Sequence, residues 1–330
     1  WRNRLEPLRI SLRSLPVKTP AVVAGRDGML FSPADLNYLL AAESHAVTPG
    51  HDPLATMIEF RRDLKARKID LLIVLIPVKT QIYPERISTA TAAAVAGLVK
   101  PVSARTARKI AAPVSAPGWH PIVVPQSRRL LMQLAAAGID CVDLLPAFLD
   151  ARDKQSEPFY LPHDSGWSNP AARLAARLIA DRVKAYAWNR RVTRKAQKYE
   201  TATVTMPLPG DATRPAAGKG AAAPQVKVQQ VTLNGKPYAD DAESPIVVLG
   251  DYFASLFADQ HAGLAAHLAR EIGIPVKQLT SDEGGAKAAR EFVAEGTASL
   301  KHRRLVIWTL AERSLQQANA DWSPVALPKE

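Results

Sequence analysis

Three runs constrain this chain more than anything else in it. DLLIVLIPV (70–78), PIVVLG (245–250) and RRLVIWTL (303–310) are dominated by apolar residues and rich in β-branched ones. A strand with one wet face alternates apolar and polar residues, whereas a strand that is apolar throughout needs cover on both faces. Segments of helical spacing flank these runs. In PLATMIEFRRDLKAR (53–67), Leu54, Met57, Ile58 and Leu64 share one helix face. The pattern further predicts a helix over 127–137 and a strand in GIDCVDLL (138–145) after a Gly stop. It predicts a long helix over 169–188 with Pro170 in its first turn, a helix near 253–271 and a short one in AERSLQQA. Strands alternating with helices predict an α/β sandwich around a mostly parallel sheet.

Two regions break this rhythm. PLPGDATRPAAGKGAAAP (207–224) is rich in Pro, Gly and Ala, which reads as a flexible loop or linker over 200–225. The next stretch alternates and carries Asn234-Gly235, a hairpin signal, so 226–240 is read as a small β-hairpin insertion within one domain of 330 residues.

The formal charge of +12 favours polyanionic partners: acidic polysaccharide, anionic lipid or nucleic acid. No zinc-finger spacing or aromatic RNA-binding signature is present, so nucleic acid is not expected. The single cysteine, Cys141, rules out an intrachain disulfide and reads as a small buried hydrophobe. Seven histidines are scattered without ligand spacing, so neither a metal nor another cofactor is expected. No run of about 20 apolar residues occurs, so no spanning segment is expected within this sequence. A trimmed upstream signal or anchor is compatible with it.

Open parallel sheets form their sites at the carboxyl ends of strands. Three loops qualify: PVKTQIYPE (77–85), the loop holding LPHDSGWSNPAA (161–172), and GDYFAS (250–255). In the last, Asp251 suits a helix cap and Tyr252 follows at once.

Five blocks occur in order: GRDGMLF (25–31), LIPVKTQIYPERI (75–87), VDLLPAF with LPHDSGWSNPAARLAA (142–176), VVLGDYFASLF (247–257) and RRLVIWTLAERSL (303–315). Together they resemble the AlgJ/AlgX-type SGNH-like proteins that act in O-acetylation of bacterial exopolysaccharides such as alginate. The resemblance implies an SGNH-hydrolase-like fold, a periplasmic location with a membrane anchor outside this sequence, and a membrane-bound O-acyltransferase partner. It also implies a catalytic Ser after Gly-Asp and an Asp-x-His-Trp block. A serine needs an imidazole to take its proton, and the imidazole needs a carboxylate to fix its tautomer. Carried over residue by residue, the Asp falls on Asp164 and the Trp on Trp167. The His position holds Gly166 and the Ser position Tyr252. Losing nucleophile or base costs up to about 10⁶ in rate, so a degenerate site is expected.

His163 and Ser165 beside Asp164, and Ser255 beyond Tyr252, are the candidates for a rearranged set. Each site residue also has a plain structural reading. Asp251 caps a helix, Asp164 accepts backbone N–H groups, and Trp167 packs rather than forming a sugar platform. Lys79 faces either an acidic sugar or solvent, and Tyr83 shares its loop. Residues 177–198 carry eight Lys/Arg against one Asp, with Tyr186 and Trp188 interleaved, a candidate surface for a uronic-acid polymer or anionic membrane. Three functions follow: a binding or scaffold protein of exopolysaccharide O-acetylation, an active acetyltransferase or acetylesterase with a rearranged site, and a basic adaptor for anionic polymer or membrane.

Overall fold

The structure, a computed structural model, describes residues 10, 22–40, 52–91, 122–192, 196–211, 223–316 and 322–328. A short antiparallel pair, β1 (Val23–Ala24) and β2 (Leu30–Phe31), leads into α1 (Pro33–Leu40). Then come α2 (Pro53–Ala66), β3 (Asp70–Ile76), α3 (Lys79–Ile82), α4 (Pro125–Ala136), β4 (Asp140–Asp143), α5 (Leu145–Ala151) and α6 (Asn169–Lys184). Strands β5 (Glu200–Pro207), β6 (Gln225–Leu233) and β7 (Lys236–Pro237) form an antiparallel sheet in that order. The chain closes with β8 (Ile246–Gly250), α7 (Tyr252–Ser255), α8 (Leu264–Ile272), β9 (Lys277–Thr280), α9 (Gly285–Ala294) and β10 (Leu305–Ala311).

The central sheet is wholly parallel, ordered β4-β3-β10-β8-β9. Its apolar runs are unbroken because both faces are covered. Leu72, Val74, Ile76, Val248 and Ile307 pack toward α6 and α8, against Ala176, Ile179 and Leu268. Leu71, Ile73, Leu75, Val247 and Trp308 face the other way, against Phe60 and Leu64 of α2, Leu134 of α4 and Phe292 of α9. Period-2 alternation thus feeds two cores from the same strands. Helix α2 starts where its sequence dictates: Asp52 accepts a hydrogen bond from the Leu54 amide (2.9 Å), and Pro53 opens the first turn.

Two sequence readings are corrected. Residues 200–207, read as loop, form β5 in register with β6 from Glu200↔Thr232 to Pro207↔Gln225. Thr alternates there with Ala, Val and Met, but most of the strand is exposed, so no apolar run announced it. Residues 212–222 of the same segment lie outside the described residues. The helix near 253–271 is two helices, α7 and α8. Phe257 (φ 67°) and His261 (φ 54°) take left-handed conformations between them, which an α-helix cannot contain. The Asn234-Gly235 turn is as read: both residues have positive φ (52° and 75°) and join β6 to β7. The sequence reading omitted β9 and α9.

Cys141 is half-buried, and burial with the neighbouring Asp140 pushes its thiol up to about 12, so it is not a thiolate at neutral pH. The basic run ends at the amino-terminal edge of the sheet, opposite the candidate site. Tyr186 and Trp188 stack on each other (5.6 Å, 18°), and Trp188 Nε1 donates to Asp70 Oδ2 (3.0 Å), so the fold itself engages both rings. Arg182 bonds Asp140. Residues 193–195 lie outside the described residues. No described helix is long and apolar enough to cross a membrane.

Candidate functional site

The carboxyl edge of the sheet gathers the three loops. Strand β8 delivers Asp251 and Tyr252, β3 delivers Lys79, and β10 delivers Glu312 and Arg313. The 160–168 segment arches over them as a turn closed by the Tyr160↔Trp167 bridge.

Asp164 and Tyr252, 88 residues apart, meet there. Tyr252 Oη donates to Asp164 Oδ2 at 2.7 Å. The carboxylate also accepts from the Gly166 amide at Oδ1 (2.6 Å) and the Asp211 amide at Oδ2 (2.9 Å). Burial raises its pKa, and the nearby Asp211 carboxylate adds to this. The two amides and the tyrosine hydroxyl work against the rise.

Gly166 explains why a phenol fits. A Cβ at this position would stand 2.7 Å from Leu256 Cδ2, 3.0 Å from Asp164 Oδ1 and 3.0 Å from Tyr252 Cε1. The Gly166 backbone is not in the left-handed region, so its conformation would accept a side chain, and only its neighbours forbid one. The Tyr252 ring therefore occupies room that a side chain at 166 would need, and the two positions are sterically linked. Gly166→Ala is expected to destabilise by about 1–3 kcal/mol. Urea unfolding of Gly166→Ala, Tyr252→Ala and the double variant should give a coupling of at least about 1 kcal/mol, and strict additivity would refute the linkage.

The remaining candidates fall into supporting roles. Asp251 caps α7, accepting from the Phe253 amide (3.0 Å), and burial raises its carboxyl pKa against the pull of Arg313. Ser255 Oγ donates to the Tyr252 carbonyl (3.2 Å), within its own helical turn. Ser165 bonds Asp211 through both its amide (2.8 Å) and its hydroxyl. His163 is half-buried, and none of the serines flanking the Tyr252–Asp164 pair bonds its ring. Trp167 is fully buried, edge-on to Phe253 (5.4 Å), which excludes a sugar platform on its face. Tyr83 is buried, its hydroxyl accepting from the Phe159 amide (2.8 Å) and its ring between the Arg86 and Arg152 guanidiniums.

Lys79 overturns both of its sequence readings, since it faces neither sugar nor solvent. It is fully buried, and its Nζ lies within hydrogen-bond distance of the carbonyls of Leu30 (2.7 Å), Leu161 (2.7 Å), Pro162 (3.0 Å) and Asp164 (3.0 Å). It ties β2 and the Asp164 loop to the end of β3.

Sequence reasoning missed Asp211, hidden in a segment read as linker; the Gly-Asp directly after MPLP was its one local signal. It also missed the buried charges behind the site. Arg313 Nη1 donates to Asp35 Oδ1 (2.9 Å), while Tyr38, Gln81 and Arg128 all donate to Glu312 (2.7, 3.0 and 2.7 Å). Burial raises the Asp35 and Glu312 carboxyls, and Arg313 and Arg128 respectively counter it. Among the described residues no cluster of His, Cys, Asp and Glu could hold a metal ion.

A cavity of about 210 Å³ lies between the start of α6 and β6, lined in part by Leu161, Pro162, Ser168, Asn169, Lys227 and Phe257, and neither Tyr252 nor Asp164 lines it. Ser168 Oγ, buried there at the start of α6, has no hydrogen-bond partner among the described residues.

The fold has known counterparts. The O-acetyltransferase domain of Pseudomonas putida AlgJ superposes with a TM-score of 0.63 at 18% identity, over 89% of this chain and 92% of that one. Pseudomonas aeruginosa AlgX gives 0.61 at 18% identity, over 88% of this chain and 62% of that one, so this chain spans under two thirds of AlgX. At such identities the likeness establishes the fold. No curated protein sequence matches the chain. A family model, "SGNH hydrolase-like domain, acetyltransferase AlgX", matches residues 22–312. With nearly its whole length inside that match, the chain belongs to the AlgX-type family of SGNH hydrolase-like domains.

Proposed function

We propose that this chain is an extracytoplasmic, periplasmic component of bacterial exopolysaccharide O-acetylation whose SGNH site no longer catalyses. It serves by binding an anionic, alginate-type polysaccharide and the acetylation machinery, including a membrane-bound O-acyltransferase. One observation carries this reading: the Tyr252 ring stands against Gly166 and its hydroxyl is bonded to Asp164, where the family pattern needs an open serine and an imidazole. Acyl transfer needs a nucleophile, a base that can pass the proton on to the leaving group, and room for the acyl group. Both oxygens of Asp164 accept from backbone amides, and among the described residues the partners of the carboxylate are those amides and the Tyr252 hydroxyl, none of them an imidazole.

The test is hydrolysis of 4-nitrophenyl acetate and acetyl transfer to oligouronates. Wild type, Tyr252→Phe and Asp164→Asn are expected to be indistinguishable from the uncatalysed rate. Turnover by wild type that either substitution abolishes would overturn the reading.

The second reading is an active acetyltransferase or acetylesterase with Tyr252 as nucleophile and Asp164 as base. The 2.7 Å contact favours it, since that is within reach for proton transfer. The same assay decides between them. The third reading, a basic adaptor, predicts binding that weakens with salt and survives Asp164→Ala.

A further inference from the structure

We propose that a cleft between α6 and α8 is a carboxylate-binding subsite that seats one charged unit of an anionic polysaccharide. The choice of a glycan rests on the functional reading above; the cleft's own chemistry is on its walls. It encloses about 290 Å³ and is lined by Gln155, Phe159, Arg173, Arg177, Arg270 and Glu271, among others. Arg173 and Arg177 stand one turn apart on α6, and Arg270 reaches in from α8, which packs closely on α6.

Three guanidiniums thus face one carboxylate. Glu271 is already bonded to Arg270 (3.2 Å), and neither Arg173 nor Arg177 is in an ion pair among the described residues. Arg173 and Arg177 are exposed at the cleft, so solvent screens their repulsion in part, but three positive groups against one carboxylate still leave a net positive field there. The repulsion is evident at two groups. Arg173 is exposed, yet its guanidinium is held below its usual pKa by partial burial and by Arg270, while Glu271 pulls it upward. His267 of α8, buried nearby, is held neutral by burial and by the same two arginines. An arriving carboxylate would remove this repulsion and accept paired N–H donors from planar forks. Gln155 offers a neutral donor and acceptor for sugar hydroxyls, and Phe159 and Pro170 supply an apolar wall. The volume lies at the small end for small-molecule pockets, which suits a single sugar unit.

The experiment is calorimetric titration of the full chain with oligouronates, with a neutral malto-oligosaccharide and with inorganic phosphate. Wild type is compared with Arg173→Gln/Arg270→Gln and with Arg129→Gln, which removes an exposed arginine elsewhere. Wild type is expected to bind the oligouronate and not the neutral oligosaccharide. The double variant should weaken binding by at least about tenfold, while Arg129→Gln leaves it nearly unchanged. Because the double variant relieves repulsion, its unfolding midpoint should not fall, which separates a lost ligand contact from a lost fold. No binding, equal binding by the double variant, or complete displacement of the oligouronate by equimolar phosphate would overturn the proposal. Oligouronate binding that ignores the arginines defeats the cleft and leaves the non-catalytic reading standing. Turnover at Tyr252 does the reverse.

Discussion

Lys79→Met is expected to lower the free energy of unfolding by about 3–5 kcal/mol, measured by urea denaturation at neutral pH. Met replaces the aliphatic stem with little change in volume, so the loss falls on the ammonium. Four carbonyl oxygens from two segments, Leu30 on one and Leu161, Pro162 and Asp164 on the other, would lose a shared donor. Burial pushes the ammonium down to about 8, while Asp35, Asp164 and Asp211 pull it upward. It therefore still carries its charge at neutral pH, and removing it leaves those carboxylates facing each other with one cation fewer. The second expected consequence is local. With the 161–164 backbone released, Asp164 should lose its fixed contact with Tyr252, seen as faster amide exchange at Gly166. A loss below about 1 kcal/mol would mean that water can serve the carbonyls, and that Lys79 does not organise the loop.

Acid is expected to weaken the fold through His267. Its folded pKa lies at about 3 against an ordinary 6.5, lowered first by burial and then by Arg173 and Arg270. Between these values the unfolded chain takes up a proton that the folded chain refuses. The contribution is therefore whole above pH 6.5 and lost as pH falls toward 3, amounting to about 3 kcal/mol by pH 4. Asp35, Asp164, Asp251 and Glu312 act with the opposite sign. Their folded pKa values are raised, so the folded chain binds protons first and gains stability as pH falls through that range. Wild type alone would show only the sum. His267→Gln keeps a neutral hydrogen-bonding group near Asn169, whose Nδ2 lies 3.2 Å from His267 Nε2. Unfolding curves of wild type and His267→Gln from pH 7 to 4 should diverge by that amount, with wild type falling faster. Parallel curves would refute the assignment.

Much of the fold was legible because burial on both faces writes itself into composition. Residues 70–76, 246–250 and 305–311 are strands close to where their apolar runs lie. Strand β9, KQLT, was not legible, since an edge strand four residues long needs no apolar run. Nor was β5, whose outward residues pack on little and can be polar. The break between α7 and α8 left no glycine or proline signal at Phe257, where tertiary packing imposes a positive φ on an aromatic residue.

The site divides along the same line. The order of the five blocks is what sets Tyr252, Asp164, Gly166 and Trp167 against the family's Ser, Asp, His and Trp in the sequence reading, because residue identity and order are local facts of sequence. The sequence by itself thus determined the α/β class and the family resemblance, and it named the loops whose residues meet at the site. Only the tertiary structure decided how those residues meet: a tyrosine hydroxyl on Asp164, a ring in the space beside Gly166, and Asp211 joining from the turn beyond β5. Only it decided that Lys79 faces inward, because a lysine's partners here are carbonyls from residues 49 to 85 positions away. Periodicity records which face of an element is dry. It does not record which polar atoms, far apart along the chain, will satisfy one another once the loops meet.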